Sequence, residues 1–307
     1  NLIYLALKLL AYELKLSSDR VAHFLLIEEP EAHIHTHVQK TLFNKLPRGK
    51  TQVIVSTHST HISSVARIGS VNVLAREDGY AEVFQPAAGL TPKQVVRVER
   101  YLDALRSTLL FAKGVLLVEG DAEQIMIPAM LKAVFGMNPD ELGFSVVAMN
   151  SAFFEHVAVI FSDDRIKRPC AIVTDLDAPI IKLSKNPKDD SPPQAHARAS
   201  AESGLLREQA AEAIADNNSW ICPFFGNHTF EVDFLAADNS WEVVQILKDI
   251  FSQDAALKRS KKKLESKDLE TFGTEVLRIA NKLGKGWFSI LLAEQLFYRT
   301  NIPENVI

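Results

Sequence analysis

At 307 residues the chain exceeds one typical domain, and its 47% hydrophobic and 23% charged content is that of a folded protein able to bury substantial cores. A formal net charge of −4 means that any contact with nucleic acid has to come from a local basic surface or from bound cations. Two cysteines, Cys170 and Cys222, exclude a disulfide framework and fit a reducing, cytoplasmic setting.

In chain order, apolar residues recur at helical spacing from Leu2 to Leu16, nearly all round the first turns, as in a helix packed on two sides. Lys8, Glu13 and Lys15 break it too often for a membrane span, and it lacks the cationic start and cleavage site of a signal peptide, so no membrane partner is expected. A chain that opens inside an uncapped helix is read as a fragment of something longer. Ala22 to Ile27 reads as a buried strand, followed at once by Glu28-Glu29-Pro30-Glu31-Ala-His33-Ile-His35. Nucleotide hydrolases place such paired carboxylates beside the β- and γ-phosphates, one for Mg2+ and the next to orient water. His33, His35 and His37 read as a solvated helix start, because alternate helical residues point in different directions.

A helix is expected over Thr36–Leu46 and a strand over Thr51–Ser56, which ends in Ser56-Thr-His58-Ser59. Leu25-Leu-Ile-Glu-Glu-Pro-Glu-Ala-His-Ile-His with the later Val-Ser-Thr-His-Ser resembles the Walker B, D-loop and switch-histidine elements of ABC-type ATPases, within them the overcoming-lysogenization-defect (OLD) and RecF-like branch. The resemblance implies that Glu28 serves Mg2+, Glu29 acts as base and His58 is the switch, although many relatives carry Asp where Glu28 stands. No Gly-x-x-x-x-Gly-Lys-Ser/Thr phosphate loop occurs in the 307 residues, so ATP is expected as a cofactor of the full-length protein only. Strands at Val71–Ala75 and Ala81–Phe84 around Glu77-Asp78-Gly79 would close this ATPase portion, residues 1–90. Thr91 caps a helix with Pro92 at its first position, running to about Arg106; its Arg97, Arg100 and Arg106 read as a solvated face, and residues 91–112 as a linker.

Residues 113–307 carry the chemistry. Gly114-Val-Leu-Leu-Val-Glu119-Gly-Asp121-Ala-Glu123 and Cys170-Ala-Ile-Val-Thr-Asp175-Leu-Asp177 are two aliphatic strands, each stopping at clustered carboxylates. A helical pattern (Ala122–Phe135), a strand (Phe144–Met149) and a second helix-like run (Ala152–Phe161) lie between them. That alternation predicts an α/β fold with a parallel sheet and crossover helices, in which function gathers at the carboxyl ends of the strands. Grouped carboxylates repel, and a divalent cation with oxygen ligands, such as Mg2+, is the usual remedy. Val118-Glu119-Gly120 with an acidic helix start, then Asp175-Leu-Asp177, resembles the TOPRIM domain of topoisomerases, bacterial primases and several nucleases.

Ser184–Ala199, with Pro187, Asp189-Asp190 and Pro192-Pro193, reads as a polar and mobile loop, and helical patterning resumes over 201–215. Trp220–Phe225 reads as a further strand leading into Thr229-Phe-Glu231-Val-Asp233, which would bring a third acidic group, Glu231, to the same rim. Whether Asp233 faces the site or caps the next turn is open. Lys258-Arg-Ser-Lys-Lys-Lys263 is either a phosphate contact or a solvated helix. Lys285, between two glycines at a helix start, suits a phosphate.

Glu119-Gly-Asp-Ala-Glu123, Asp175-Leu-Asp177, Thr229-Phe-Glu231 and Lys285-Gly-Trp-Phe, in that order behind an ATPase portion, resemble the C-terminal region of OLD-family nucleases over nearly the whole chain. The resemblance implies two divalent cations, Mg2+ or Mn2+ with Ca2+ as an inert substitute, and a catalytic Lys285. On this reading Glu119 and Glu123 serve one ion and Asp175 and Asp177 the other, with Glu231 completing a shell and Asp121 a weaker candidate. The expected activity is a metal-dependent DNA endonuclease fused to an ABC-type ATPase, with DNA as partner, a homodimer in the full-length protein, and a role in DNA repair or phage defence. A topoisomerase or primase-like enzyme would need a tyrosine motif that none of the five tyrosines provides, and its mark would be a covalent protein–DNA adduct. A non-catalytic DNA-binding recombination module would bind DNA in EDTA and never cut it.

Overall fold

A computed structural model describes residues 23–32, 34–44, 46, 51–77, 79–102, 106–150 and 153–306. The helix expected over Leu2–Leu16, together with His33 and Asp78, lies outside the described residues. The chain forms two compact units, Asn1–Phe111 with Asp164–Ile166, and Ala112–Asp163 with Lys167–Ile307.

In the first unit β1 (His23–Glu28) and β2 (Thr51–Ser56) pair in parallel, with Glu28 opposite Ser56. Parallel neighbours need a crossover, and α1 (Thr36–Asn44) lies between them, followed after β2 by the single turn α2 (Thr60–Ser63). β3 (Val73–Glu77) and β4 (Tyr80–Phe84) form an antiparallel hairpin with Glu77 opposite Tyr80. The first of these strands therefore sits two residues later than its sequence pattern suggested. Gly79 takes the left-handed conformation, φ 88°, that a two-residue hairpin turn requires. α3 (Pro92–Tyr101) begins as expected, with Thr91 Oγ1 accepting from the Gln94 amide and Gln94 Oε1 accepting from the Thr91 amide. It stops at Tyr101, and Arg106–Leu110 is a separate 3₁₀ turn.

The second unit is built on a four-stranded parallel sheet in the order β6 (Phe144–Ala148), β5 (Gly114–Val118), β7 (Cys170–Asp175), β8 (Ile221–Gly226). β5 and β7 are the inner strands, buried on both faces, which is why they read as unbroken aliphatic runs instead of an alternation. α4 (Asp121–Phe135) crosses from β5 to β6 and buries Met126, Ile127 and Met130 completely, worth about 1.5–3 kcal/mol each. Among the described residues of the helix-like run Ala152–Phe161, only Glu155–Ala158 forms a short helical turn. Phe154, Val157, Ile160 and Phe161 are all buried, so their spacing reflects core packing of an irregular segment and not one helical face.

The loop expected over Ser184–Ala199 is overturned in its second half. α5 (Pro192–Ala215) occupies 24 residues, with Pro192 and Pro193 in its first turn and Ser191 and Gln194 hydrogen-bonded as a cap. A proline that ends a helix from the inside is tolerated at its start, where the missing N–H has no partner to lose. After β8 come α6 (Phe230–Ala236), α7 (Asp254–Leu264), α8 (Leu269–Leu283) and α9 (Lys285–Ala293). α8 packs on α6 through a buried stripe that includes Val276, Ile279 and Ala280, and α9 packs on α4. These contacts carry the far end of the chain back to the first turn of α4.

Candidate functional site

The strand order reverses direction between β5 and β7: from β5 the chain moves outward to β6, then returns to the other side of β5. A crevice opens at the carboxyl ends of the strands at such a switch point, and the two acidic clusters follow the two strands that flank it. Glu119 stands just past β5, and its Oε2 accepts from the Thr174 hydroxyl of β7 at 3.0 Å. Asp175 is the last residue of β7, and its Oδ2 accepts from the Phe230 amide at the start of α6 at 2.8 Å. Glu123, one turn into α4, bends back so that Oε2 accepts from the Gly120 amide at 3.0 Å. Glu231 lies in the first turn of α6, and Lys285, from the start of α9, donates to its Oε2 at 3.2 Å.

Three of these carboxylates are nearly removed from solvent: Glu231 is 1% exposed, Asp175 7% and Glu123 8%. Burial pushes the Asp175 carboxyl well above the usual carboxylate range, and the nearby charges of Glu123, Glu119, Asp177 and Asp233 push it further. Burial also raises Glu123, with Glu119 and Glu231 adding to the shift against the backbone hydrogen bonds that lower it. For Lys285, burial acts to lower the pKa, but attraction to Glu231, Glu123 and Asp175 outweighs it and holds the ammonium above its ordinary value. Glu119, Glu123, Asp175, Glu231 and Lys285 therefore share one rim, although the glutamate at 231 is 112 positions from that at 119.

Two polar atoms at this rim have no hydrogen-bond partner: Glu231 Oε1 and Thr229 Oγ1 are both buried. A buried carboxylate oxygen without a donor is costly, and a cation would satisfy it. The side chains are near enough to repel one another without being drawn into a ready-made coordination group, since no cluster of three His, Cys, Asp or Glu side chains arranged to hold an ion occurs among the described residues. The donor set, oxygen only and crowded with negative charge, fits a hard divalent cation.

The other expected site residues fall differently. Asp177 pairs with Arg207, whose guanidinium reaches its Oδ2 at 2.5 Å, and its charge still acts on Asp175. Asp121 is exposed on the first turn of α4, with Gly120 and not Asp121 as the cap. Asp233 accepts from the His228 amide with both oxygens, at 3.2 and 3.1 Å, so it caps the turn before α6 while its charge still acts on Asp175. The basic run Lys258–Lys263 lies on α7, where Ser260 and Lys263 bond Glu275 of α8. Arg207 and Thr174 gave no signal in the sequence as site residues; only their partners did.

In the first unit Glu28 and Ser56 close the parallel pair, and Glu29, at φ 42°, donates its amide to Ser56 O at 3.0 Å. His58 Nε2 stands 3.8 Å from Glu29 Oε1, both side chains open to solvent. Glu31, given no role in the sequence reading, holds the two strand ends together: its Oε1 accepts from the Thr57 hydroxyl at 2.7 Å and the His58 amide at 2.8 Å.

The profile of the overcoming lysogenization defect protein-like TOPRIM domain matches residues 110–177, and that of an AAA ATPase domain matches residues 1–63. Among solved structures, the C-terminal region of the Burkholderia pseudomallei OLD protein is 23% identical, with 64% of this chain and 93% of that one covered and a TM-score of 0.47. The C-terminal region of the Xanthomonas campestris pv. campestris OLD protein is 20% identical, covering 64% and 91%, with a TM-score of 0.45. No curated protein matches the chain. TOPRIM domains bind divalent metals, and no helix among the described residues is long and apolar enough to cross a membrane. The chain thus carries an OLD-like TOPRIM domain together with a segment of an AAA ATPase domain.

Proposed function

We propose that the second unit is a DNA endonuclease that hydrolyses phosphodiesters with two divalent cations, Mg2+ or Mn2+, at the rim formed by Glu119, Glu123, Asp175 and Glu231. The observation that carries this reading is the buried, unpartnered Glu231 Oε1 beside carboxylates that raise one another's pKa. A bound divalent cation supplies Lewis-acid stabilisation of phosphoryl oxygens and an activated water.

The chain's own groups do the rest. The Phe230 amide and the Thr174 hydroxyl each hold one oxygen of Asp175 and Glu119, which orients the two carboxylates. The Lys285 side chain is half exposed, with its ammonium 3.2 Å from Glu231 Oε2. A compact ammonium with three donors can keep one on Glu231 and offer another to a phosphate oxygen, offsetting the charge that grows there as the phosphodiester is attacked. In the full-length protein we read Glu28, Glu29 and His58 as the nucleotide-facing residues of the AAA segment, with ATP as cofactor and a second copy as partner.

Supercoiled plasmid incubated with the chain and Mg2+ or Mn2+ tests the reading. Nicked and linear products that vanish with EDTA are expected, and Asp175→Asn and Lys285→Ala should lose them. Equal cleavage by the parent and both variants, or none by the parent under any divalent metal, would defeat it.

A further inference from the structure

Arg278 and Lys282, one turn apart on α8, lie over the same aromatic ring: the Arg278 guanidinium carbon is 5.5 Å and the Lys282 ammonium 5.0 Å from the centre of Phe251, just before α7. Like charges brought this close repel, and Glu275 offsets only part of that. It accepts from Arg278 Nε at 3.1 Å and, across from α7, from Lys263 Nζ at 3.3 Å. Lys282 has no carboxylate partner among the described residues. The side chains of Lys263 and Arg278 are each 47% exposed, and Lys282 is exposed as well. This edge of α7 and α8 therefore sets three cations against one carboxylate, on a chain whose formal net charge is −4.

The ring holds these side chains without cancelling them. A salt bridge orders a lysine and neutralises it, whereas a ring face attracts the cation through its quadrupole and leaves the full charge in place. Lys282 is thus ordered before any anion arrives, and an arriving anion loses less affinity to immobilising it. Direction adds to this. Arg278 and Lys282 are about 6 Å apart along the helix axis, and Lys285, three residues on, is within about 11 Å of Lys282 by chain length. The Lys285 ammonium is the one bonded to Glu231 at the rim. The row Arg278, Lys282, Lys285 leads to the rim over at most about 17 Å, and a DNA strand offers a phosphate every ~3.4 Å of helix axis.

We propose that Lys263, Arg278 and Lys282 form a track that takes the DNA backbone on one side of the bond to be cut, with Lys285 at its inner end. The proposal rests on the reading of the rim as a site of phosphodiester cleavage, and extends it from the cleaved phosphate to its neighbours. Cations spaced along one helix edge and ending at the rim match the charges of a strand. They reach phosphates only, so the track supplies affinity and register and no sequence preference. Of the basic run on α7, Lys263 belongs to the track, while Lys261 is paired with Glu265.

The test is binding of the full chain to a labelled DNA duplex in Ca2+, followed by fluorescence anisotropy between about 50 and 200 mM KCl. Each phosphate contact contributes about 0.9 to the slope of log K against log salt. Lys282→Met and Arg278→Gln keep the side-chain stem without the charge. Each is expected to weaken binding and to lower the slope by about 0.9, so that the gap to the parent narrows about 3.5-fold across that range, and the double variant by about 1.8. Lys282→Arg should keep the parental slope. Lys267→Ala, which removes a lysine paired with Asp238 at the far end of α8, about 20 Å from Lys282, should change neither affinity nor slope. Lys282→Met breaks no hydrogen bond of the described structure, so it carries the test alone should Arg278→Gln fail to fold. Parental slopes in the charge-removing variants, whether or not affinity falls, overturn the proposal, and so does an equal drop in Lys267→Ala. Displacement of the duplex by polyglutamate as readily as by unlabelled DNA of equal charge would make the edge an acidic-protein surface and overturn it too. A parent that neither binds nor cuts DNA removes the cleavage reading and the track together, whereas a parent that cuts plasmid while its variants bind as it does removes only the track.

Discussion

The Lys285 ammonium donates to Glu231 Oε2 at 3.2 Å, while Glu231 Oε1 on the same carboxylate is buried without a partner. The lysine is therefore half of a counter-ion for a group that needs more, and its removal has two separable effects. Lys285→Ala leaves Glu231 with neither oxygen satisfied. Because the lysine side chain is half exposed, the expected loss of stability in urea is about 1–3 kcal/mol, short of the larger cost of breaking a fully buried pair. Cleavage should fall about 10²- to 10³-fold, the usual consequence of removing a donor aimed at developing charge. Lys285→Arg should restore stability more than cleavage, since a planar fork does not replace a point charge. A Lys285→Ala protein that cuts plasmid at the parental rate would remove the lysine from the mechanism.

Asp175 supplies a prediction with the opposite sign for stability. Burial and neighbouring carboxylates raise its pKa above the ordinary 3.8, so the folded state binds this proton more tightly than the unfolded chain does. Metal-free stability accordingly falls as pH rises from below 3.8 to above the raised value, and at neutral pH the charged group opposes folding. Asp175→Asn removes the charge but keeps an oxygen to accept from the Phe230 amide. At neutral pH without metal it should melt higher, by about 2–4 °C for a gain of about 1 kcal/mol, while losing cleavage and the upward Tm shift that Mn2+ gives the parent. A lower melting temperature than the parent's in EDTA would contradict the sign.

The two outcomes explain what was legible beforehand. Strands that are buried on both faces announce themselves as aliphatic runs, and a carboxylate that ends such a run marks the rim, so Glu119, Asp175 and the α/β class could be read from local pattern. That Lys285 reaches Glu231 depends on α9 packing on α4, a contact between distant parts of the chain with no local trace; resemblance to a family supplied it. Arg207 had no such help. It sits inside a long helix of mixed polar and apolar residues, and its partner is 30 positions away. The start of that helix is legible in Ser191 and Gln194, which spell a cap, and in Pro192 and Pro193, which a first turn accepts, although the polar composition around them reads as a loop.

The two thiols report on the sheet without any knowledge of the site. Cys170 begins the inner strand β7 and is buried, which pushes its thiol far above the usual range, while Cys222 on the outer strand β8 is exposed. A thiol-specific reagent should modify one cysteine per chain under native conditions and two in denaturant. Cys222→Ser should abolish the native reaction. Rapid native modification of Cys170 would mean that β7 is not an inner strand.

Glu275 gives the last prediction, in the helices that support the rim. It is nearly buried between α7 and α8, where it accepts from Ser260 Oγ at 2.6 Å, from the Arg278 guanidinium and from Lys263 Nζ at 3.3 Å. Burial alone would raise its pKa, but these donors overcome it and hold the carboxyl at about 2 instead of 4.5. A depressed folded-state pKa contributes stability that is fully present above pH 4.5 and is lost as pH falls through about 2. Glu275→Gln should therefore cost about 1.5–3 kcal/mol at neutral pH, the range for hydrogen bonds to a charged group, and less as the solution is acidified. Asp175 changes stability with the opposite sign in acid, so the comparison that isolates Glu275 is the difference between Glu275→Gln and its parent, measured by urea unfolding at matched pH from 7 to 3. A difference that stays constant across that range would mean the Glu275 charge contributes nothing and that its role is packing alone.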